Sequence, residues 1–323
     1  MNWREYDRSM SHFIESTGEA GLRLHIRSRS DDLALPPVLF VHGATYASRL
    51  FDIPSPGASW LEAARAAGFA AYAVDIRGYG LSHSVAMENT DAPYARATDA
   101  IRDIDDAVNW IRKRHGTSRI SVIGGSWGSI TTGLYASTIG AKKLRKLILY
   151  APIYAEPNKG WHGLLCNPEV PAEVNPDLGA SRLITESDTR ARWDSEIPTG
   201  ADWRNEAVFQ ALVQSSMADD PQAIRHDPPA FRAPNGTLLD LWSAFNGKPL
   251  YDPAAIACPV MLIRGTADPT STRSDAMTLF DALETAVDRR YVEIANGAHF
   301  ISAECRAPSV FSAANGFLAE AGI

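Results

Sequence analysis

The chain has 323 residues, 45% of them hydrophobic and 21% charged, and a net charge of −7 at pH 7, which is the composition of a soluble globular protein. The excess of acidic over basic residues and the lack of a cluster of lysines and arginines argue against nucleic acid as a partner. Three widely spaced cysteines argue against a disulfide framework or a zinc site, and no apolar run reaches the roughly 18 residues that a membrane-spanning helix needs.

Two strand-like runs open the chain, and a series of short apolar runs follows them. Residues 22–27 alternate apolar and polar side chains, which is typical of a half-exposed strand, and residues 12–16 precede them across a glycine-containing turn. The later runs are continuous and end at turn residues, as strands buried on both faces of a parallel sheet do. They are predicted at residues 38–41, 70–74, 120–123, 147–150, 260–263 and 291–294.

Helical patterns lie between most of these runs. The clearest spans residues 95–115, where Ile104, Val108 and Ile111 belong to one apolar face. Because strand and helix alternate, the sequence predicts an α/β fold with a doubly wound, mostly parallel sheet. The other helices are predicted at residues 59–67, 126–139 and 271–285.

One long segment interrupts this alternation. Between Pro152 and Ala257 no comparable buried strand is predicted, and helical patterns are found only near residues 203–217 and 238–245. An insertion of this length is too long for a simple loop. We therefore expect a mostly helical cap over the carboxyl edge of the sheet, inserted into an α/β core, with 153–250 as the cap and 1–152 plus 251–323 as the core.

The strongest functional motif is the run Gly124-Gly125-Ser126-Trp127-Gly128, which lies between a predicted strand and a predicted helix. In that setting, G-x-S-x-G describes a sharp turn that exposes the serine above the carboxyl edge of the sheet. The small neighbours let the strand and helix pack closely, and the start of the next helix favours developing negative charge. Ser126 is therefore the candidate nucleophile.

A serine hydroxyl needs a base to take its proton, and that base needs a carboxylate to orient it. Of the eight histidines, His299 follows the last predicted strand, a position that brings it over the same sheet edge as Ser126. His42 also ends a strand, but it precedes Gly43 and is expected to have a structural role in that loop. His299 is therefore the candidate base.

The orienting acid should follow a strand between the serine and the histidine. Asp268 meets this condition because it comes just after the apolar run at 260–263, and it can also cap the helix that begins nearby. Two alternatives stay open: Glu156, after the preceding core strand, and Asp75, in a glycine-containing turn before the serine. Asp268 is the candidate acid.

Acyl transfer also needs hydrogen-bond donors for the tetrahedral oxyanion. The backbone N–H of Trp127, directly after the serine, is one candidate, and the N–H of Ala44, after the His42-Gly43 turn, is the other. Each such donor is commonly worth roughly 3–4 kcal/mol in the transition state. This chemistry needs neither a metal nor an organic cofactor, and none is predicted.

In this order, the motifs resemble those of the α/β-hydrolase superfamily, in its capped branch. The resemblance covers nearly the whole chain outside the cap and implies a serine hydrolase of that fold. It is carried by five features: the His42-Gly43 turn, residues 75–82, the turn at Ser126, the turn at Asp268, and His299.

Within that superfamily, the run around Ser126 is similar to the corresponding turn of the proline iminopeptidases. That family usually has His-Gly-Gly-Pro-Gly in its oxyanion loop, whereas residues 42–46 here read His-Gly-Ala-Thr-Tyr. The esterase-type His-Gly-Gly-Gly is also absent. A serine at position 126 disfavours the dehalogenases and epoxide hydrolases, which use an aspartate nucleophile.

The predicted reaction is hydrolysis of a carboxylic ester, or a related acyl bond, of a small molecule through an acyl-enzyme on Ser126. Three alternatives stay open: an aminopeptidase of the proline-iminopeptidase type, a C–C hydrolase or lyase that uses the same triad, and a ligand receptor without activity. The aminopeptidase would need carboxylates for the substrate amine, and the candidates are Glu156, Glu169, Glu173 and Glu206.

The first residues show no basic region followed by an apolar stretch. No signal peptide is therefore expected, and the default assignment is a cytoplasmic protein. Its expected partner is a small ester or acyl compound, and neither nucleic acid nor a membrane is expected to bind. The oligomeric state stays open, with a homodimer among the options.

Overall fold

The computed structural model describes residues 3–30 and 32–321. Ten strands lie in this part of the chain, eight in a central sheet and two in a separate pair. In chain order they are β1 (Met10–Glu15), β2 (Arg23–Ser28), β3 (Pro37–Val41), β4 (Ala70–Val74), β5 (Ile120–Gly125), β6 (Leu144–Tyr150), β7 (Ser181–Thr185), β8 (Ala230–Pro234), β9 (Val260–Gly265) and β10 (Arg289–Ile294).

Helices connect most of these strands, and each helix within the described residues is too short or too polar to span a bilayer. The α-helices are α1 (Trp60–Ala66), α2 (Val85–Glu88), α3 (Ala97–His115), α4 (Trp127–Ser137), α5 (His162–Leu165), α6 (Glu186–Glu196), α7 (Glu206–Asp219), α8 (Gly236–Ala244), α9 (Arg273–Ala282) and α10 (Ala307–Ala319). Short 3-10 helices lie at Trp3–Glu5, Ser48–Phe51, Lys159–Trp161, Ala223–Arg225, Pro253–Ala255 and Ile301–Ala303.

The central sheet has the strand order β1-β2-β4-β3-β5-β6-β9-β10. From β4 to β10 neighbouring strands are parallel, whereas β2 is antiparallel to both β1 and β4. The predicted mostly parallel sheet is therefore confirmed. The order reverses at β3, which has β4 on one side and β5 on the other, and ligand sites of open α/β sheets lie at such reversals.

Helices cover both faces of the sheet, which is why its strands read as continuous apolar runs. Along β3, Leu39 and Val41 pack in the layer that includes α3 and α4, whereas Val38 and Phe40 pack in the layer that includes α1 and α10. All four side chains are fully buried. This two-sided burial confirms the doubly wound arrangement that the alternation of strands and helices predicts.

The segment between β6 and β9 is less purely helical than the sequence predicts. It contains α5, α6, α7 and α8, but also β7 and β8, which pair in an antiparallel two-stranded sheet. The sequence predicts no buried strand comparable to the core strands here, and it does not predict this separate pair. No residue of β7 is fully buried, and β8 contains Arg232 and ends in Pro234, so neither strand has the continuous apolar run that marked the core strands.

Buried aspartates of this segment form ion pairs and hydrogen bonds with residues of the core. Asp219, at the end of α7, pairs with Arg27 of β2 at 2.6 Å and with Arg49 at 2.8 Å. Asp240 of α8 accepts hydrogen bonds from the Arg96 side chain at 2.7 Å and from the Trp127 indole at 3.0 Å. Removing one partner of such a pair leaves an uncompensated buried charge, so these contacts hold the segment in one position on the core.

Two glycines allow α4 to begin directly against the sheet. A Cβ at Gly128 would clash with the Val41 carbonyl and lie 2.6 Å from the His42 carbonyl oxygen. A Cβ at Gly124 would clash with the Gly128 carbonyl and the Thr132 hydroxyl. The glycines of the G-x-S-x-G motif are therefore required by close backbone approach between β5, α4 and the end of β3.

We expect Gly128→Ala to destabilise the protein, because the added methyl group meets backbone atoms that cannot move independently. Overpacking of this kind costs about 1–3 kcal/mol and often more against backbone. Thermal unfolding followed by circular dichroism measures the effect. Gly316→Ala is the matched control, since that helical glycine has open space around its Cβ position and alanine favours helix. Equal stability of Gly128→Ala and the unmodified protein would contradict this account of the turn.

Candidate active site

Ser126 lies in the tight turn between β5 and α4. Its backbone has φ 56° and ψ −121°, a region that non-glycine residues rarely adopt, and its N–H donates to the Tyr150 carbonyl at 2.9 Å. The loop after β3 lies alongside, since a Cβ built on Gly43 would be 3.0 Å from the Ser126 Cβ. The reversal of strand order thus brings the serine turn and the His42-Gly43 loop together.

A line of hydrogen bonds joins three of the predicted site residues. The Ser126 Oγ is 2.9 Å from the His299 Nε2, and the His299 Nδ1 is 2.8 Å from an oxygen of Asp268. The other Asp268 oxygen accepts the N–H groups of Thr270 and Ser271, both at 2.8 Å. With its Nδ1 proton donated to Asp268, His299 presents a lone pair on Nε2 to the serine hydroxyl.

Tyr150, the last residue of β6, makes hydrogen bonds to the loop that contains His299. The Tyr150 hydroxyl donates to the His299 carbonyl at 2.9 Å and accepts the N–H of Ser302 at 3.1 Å. Burial raises the pKa of Tyr150 well above its ordinary value, so this hydroxyl stays protonated and remains a donor. The imidazole is therefore positioned by its backbone as well as by Asp268.

Two opposing effects act on the pKa of His299. The side chain is only 7% exposed, and burial alone lowers the pKa because it disfavours the imidazolium. The Asp268 carboxylate beside Nδ1 outweighs burial through its charge and its hydrogen bond, so the net shift is upward from the ordinary value. An imidazole in this environment can accept a proton from a neighbouring hydroxyl and hold it as an ion pair.

The two predicted oxyanion donors border the same turn. Within residues 3–30 and 32–321, the N–H groups of Ala44 and Trp127 donate to no protein acceptor. The Ala44 carbonyl, in contrast, accepts from the Tyr79 hydroxyl at 2.8 Å and from the Arg182 guanidinium at 2.7 Å. These two bonds fix the orientation of the loop while leaving the Ala44 N–H available for a ligand.

A small cavity lies above Ser126, and we call it the inner cavity. It leaves about 40 Å³ for the centres of water-sized molecules. Besides Ser126 and His299 it is lined by Ala44, by Arg192, and by a mainly apolar and aromatic wall that includes Tyr46, Leu50, Trp161, Leu241 and Phe300. Such a concave, largely apolar site with a few convergent polar groups is typical of small-molecule binding.

The sequence of the chain matches the model of the α/β-hydrolase family over residues 38–313. The chain belongs to the α/β-hydrolase family. The match covers most of the sequence, including the serine turn, the segment between β6 and β9, and the loops of Asp268 and His299. No curated protein shows significant similarity to the full chain.

Solved structures similar to this α/β-hydrolase are distant in sequence. E-2-(acetamidomethylene)succinate hydrolase superposes with a TM-score of 0.64 at 17% identity, covering 97% of this chain and 100% of that chain. The esterase RhEst1 from Rhodococcus sp. ECU1013 gives 0.63 at 16% identity, covering 96% and 99%. A thermophilic esterase from Thermogutta terrifontis gives 0.57 at 19% identity, covering 96% and 98%. At these identities the likeness shows the fold alone.

The alternative acids lie elsewhere in this α/β-hydrolase. Asp75 is fully buried and accepts from His25 Nδ1 at 2.8 Å and from the Ser48 N–H at 2.8 Å. Glu156 is hydrogen-bonded to Thr272, at the start of α9. Neither carboxylate contacts His299, and Asp268 is the one of the three candidates that does.

His42 has the structural contacts expected for it. It is fully buried, its Nδ1 donates to the Gly43 carbonyl at 2.8 Å, and its Nε2 accepts the N–H of Ile76 at 3.0 Å. Burial lowers the pKa of His42, which keeps the ring neutral and preserves this donor and acceptor pair. His42 therefore joins the loop after β3 to the loop after β4.

Glu304 is a buried group near the site that no sequence motif indicates. It is 4% exposed, and its two oxygens accept the N–H of Ala298 at 2.9 Å and the Trp193 indole N–H at 3.1 Å. Burial raises the pKa of Glu304 to about 7 despite these two donors. The carboxylate links the loop of His299 to α6 of the inserted segment.

A second serine, histidine and aspartate relay joins β1, β2 and the residue after β4. His25 Nε2 is 3.0 Å from the Ser11 hydroxyl, and His25 Nδ1 is 2.8 Å from Asp75. Ser11 lies in a regular antiparallel strand opposite Arg27, without the tight turn found at Ser126. In the described part of the chain, no group of three or more histidine, cysteine, aspartate or glutamate side chains is arranged to hold a metal ion.

We expect Asp268→Asn to lower the pKa of His299, because it removes the carboxylate that favours the imidazolium and leaves burial to favour the neutral ring. In the unmodified protein that pKa should lie above the ordinary value of 6.5. Titration of the imidazole resonances by NMR measures both values. Asp75→Asn is the control, since Asp75 contacts His25 and should leave His299 unchanged. An unchanged His299 pKa in Asp268→Asn would count against this pairing.

Proposed function

We propose that the protein hydrolyses a carboxylic ester, or a related acyl bond, of a small molecule through an acyl-enzyme on Ser126. The proposal depends chiefly on the hydrogen-bonded line from Asp268 through His299 to a serine in a tight positive-φ turn. A nucleophile, a base and an orienting acid in this geometry are the requirements of acyl transfer to serine.

In the first half of the proposed reaction, His299 Nε2 takes the Ser126 proton as the Oγ attacks the substrate carbonyl carbon. The carbonyl oxygen gains the electron pair and becomes an oxyanion, which the N–H groups of Ala44 and Trp127 stabilise. When the tetrahedral intermediate collapses, the bond to the leaving oxygen breaks. His299 gives its proton to that oxygen, and the alcohol departs.

In the second half, a water molecule replaces the alcohol. His299 takes one of its protons while the water oxygen attacks the acyl carbon, and the same two N–H groups hold the second oxyanion. Collapse breaks the bond to Ser126, whose Oγ recovers the proton from His299. Asp268 keeps the proton on Nδ1 and stabilises the imidazolium in both halves.

We propose that residues 153–250 act as a cap that sets the size of the substrate. Trp161, Arg192 and Leu241 of this segment line the inner cavity together with Ser126. A cavity needs about 10–15 Å³ by the same measure to hold one water molecule. The 40 Å³ of the inner cavity therefore suits a small acyl group.

Aminopeptidase activity has less support. The four candidate carboxylates for a substrate amine, Glu156, Glu169, Glu173 and Glu206, are not among the residues that line the inner cavity. The charged side chain from the cap that does line it is Arg192, which would repel an ammonium group. A C–C hydrolase would use the same triad, and the fold does not choose between these bonds.

We expect a fluorophosphonate probe to label Ser126, and Ser126→Ala to abolish the labelling. Intact-mass and peptide mass spectrometry identify the modified residue. Ser11→Ala is the matched control, since Ser11 also lies beside a histidine paired with an aspartate but not in a tight turn. Labelling that persists in Ser126→Ala would overturn the assignment of the nucleophile.

We expect phenyl acetate to be hydrolysed and a proline arylamide to be turned over far more slowly, because the inner cavity offers no carboxylate for the amine. Steady-state kcat/KM for the two substrates measures the preference. His299→Ala and Asp268→Asn should each lower ester turnover by roughly 10⁴-fold while thermal unfolding stays close to normal. A preference for the arylamide would instead favour the aminopeptidase.

A further inference from the structure

A second cavity lies outside the first, and we call it the outer groove. It leaves about 320 Å³ for the centres of water-sized molecules, against about 40 Å³ in the inner cavity. Trp161 and Arg192 line both spaces and are the wall between them. The inner cavity is mainly apolar, whereas the outer groove has polar groups from Asn158, Ser195 and Thr270 and the carboxylate of Glu196. The two spaces therefore suit different parts of one substrate.

The Arg192 guanidinium is held in this wall by several contacts. It lies 4.5 Å from the centre of the Trp161 ring and 5.7 Å from that of Phe300. Its Nε pairs with Glu196 at 2.8 Å, and its Nη2 is 3.4 Å from the Thr270 hydroxyl. Within the described residues, its Nη1 donates to no acceptor. The side chain is thus oriented in advance, with donor capacity left for a ligand.

Charged side chains of both signs surround this wall. Arg182, whose charge acts on Arg192, pairs with no carboxylate among the described residues and donates to carbonyl, amide and hydroxyl oxygens. Glu196 is the carboxylate that faces Arg192. The carboxylates behind His299, Asp268 and Glu304, each accept hydrogen bonds of their own. An anionic group at Arg192 would share the guanidinium with Glu196, which also lines the outer groove, and would bind through the Nη1 that has no acceptor among the described residues.

The outer groove adjoins the inner cavity at Trp161 and Arg192, which line both spaces. In the proposed reaction His299 delivers a proton to the leaving oxygen, so that oxygen has to lie beside the imidazole. Pro269 and Thr270, which follow Asp268 directly in the chain, line the outer groove. The charge of Arg192 also reaches the imidazole, where it lowers the His299 pKa against the larger opposite effect of Asp268. A leaving group that extends from the imidazole past Arg192 would enter the outer groove.

We propose that the outer groove binds the leaving alcohol of the substrate and that Arg192 recognises a carboxylate on that alcohol. The substrate class is then an ester of a small acyl group with a carboxylate-bearing alcohol or phenol. This inference rests on the proposed ester hydrolysis at Ser126. Arginine suits the role because its planar guanidinium binds carboxylates with parallel hydrogen bonds and stacks on aromatic rings.

The test compares 3-acetoxybenzoate with 3-acetoxybenzamide, which share the acyl group and differ in the charge of the leaving phenol. Because a hydrogen bond to a charged group is strong, kcat/KM should be about tenfold or more higher for the carboxylate ester than for the amide ester. Arg192→Gln should remove this preference, and Arg192→Lys should retain part of it. Arg190→Gln is the matched control, since Arg190 lies on the same helix but pairs with Glu206 outside both cavities.

Arg192→Gln leaves the Glu196 carboxylate, which is 9% exposed, without its partner. The double variant Arg192→Gln with Glu196→Gln removes both charges, so no unpaired buried charge is left. It therefore separates the loss of the Arg192 contact from a general loss of structure. It should show no preference for the carboxylate in the ratio of the two kcat/KM values. A preference that survives in the double variant, or an equal loss on both substrates, would overturn the role of Arg192.

A binding measurement separates this inference from the proposed function. Calorimetry with Ser126→Ala compares the affinity of 3-hydroxybenzoate with that of 3-hydroxybenzamide, and tighter binding of the carboxylate that depends on Arg192 is expected. Such binding without turnover of any ester would sink the proposed hydrolysis and keep the groove assignment. Turnover of phenyl acetate together with equal binding of the two phenols would overturn the groove assignment alone.

Discussion

The site depends on the close contact between the start of α4 and the end of β3. Gly128 lies against the carbonyl groups of Val41 and His42 with no room for a side chain. Because the strand order reverses at β3, this contact brings the turn of Ser126 beside the loop of Gly43. The potential oxyanion donors and the serine are therefore positioned by backbone packing. His299 and Asp268 reach the site separately, from the loops after β10 and β9.

The core strands and the hydrogen-bonded line of Ser126, His299 and Asp268 could be predicted because their signals are local. Each core strand is a short apolar run, and Ser126, Asp268 and His299 each follow one such run, so parallel pairing brings all three to one edge. The strands β7 and β8 could not be predicted in this way, since they are half-buried or contain arginine and proline. Arg192 and Glu304 were missed for another reason. Their contacts join the cap to the core, and no local pattern records how those parts pack.

The interface between the inserted segment and the core combines two kinds of contact. Around the inner cavity it is mostly apolar, whereas Asp219 and Asp240 fasten it through buried charges at a distance from the serine. Buried ion pairs add little net stability but penalise any displaced arrangement strongly. Such contacts favour one fixed position of the inserted segment. The dimensions of the inner cavity are then a property of the fold, set in part by residues that do not line the cavity.

The relay of Ser11, His25 and Asp75 reproduces the side-chain distances of the proposed site to within about 0.1 Å. It differs in the backbone, since Ser11 lies in a regular strand. A search for serine hydrolases by side-chain geometry alone would find both constellations in this one molecule. Comparing the two serines within the same protein, at the same pH and ionic strength, isolates what the turn and its N–H donors add to nucleophilicity.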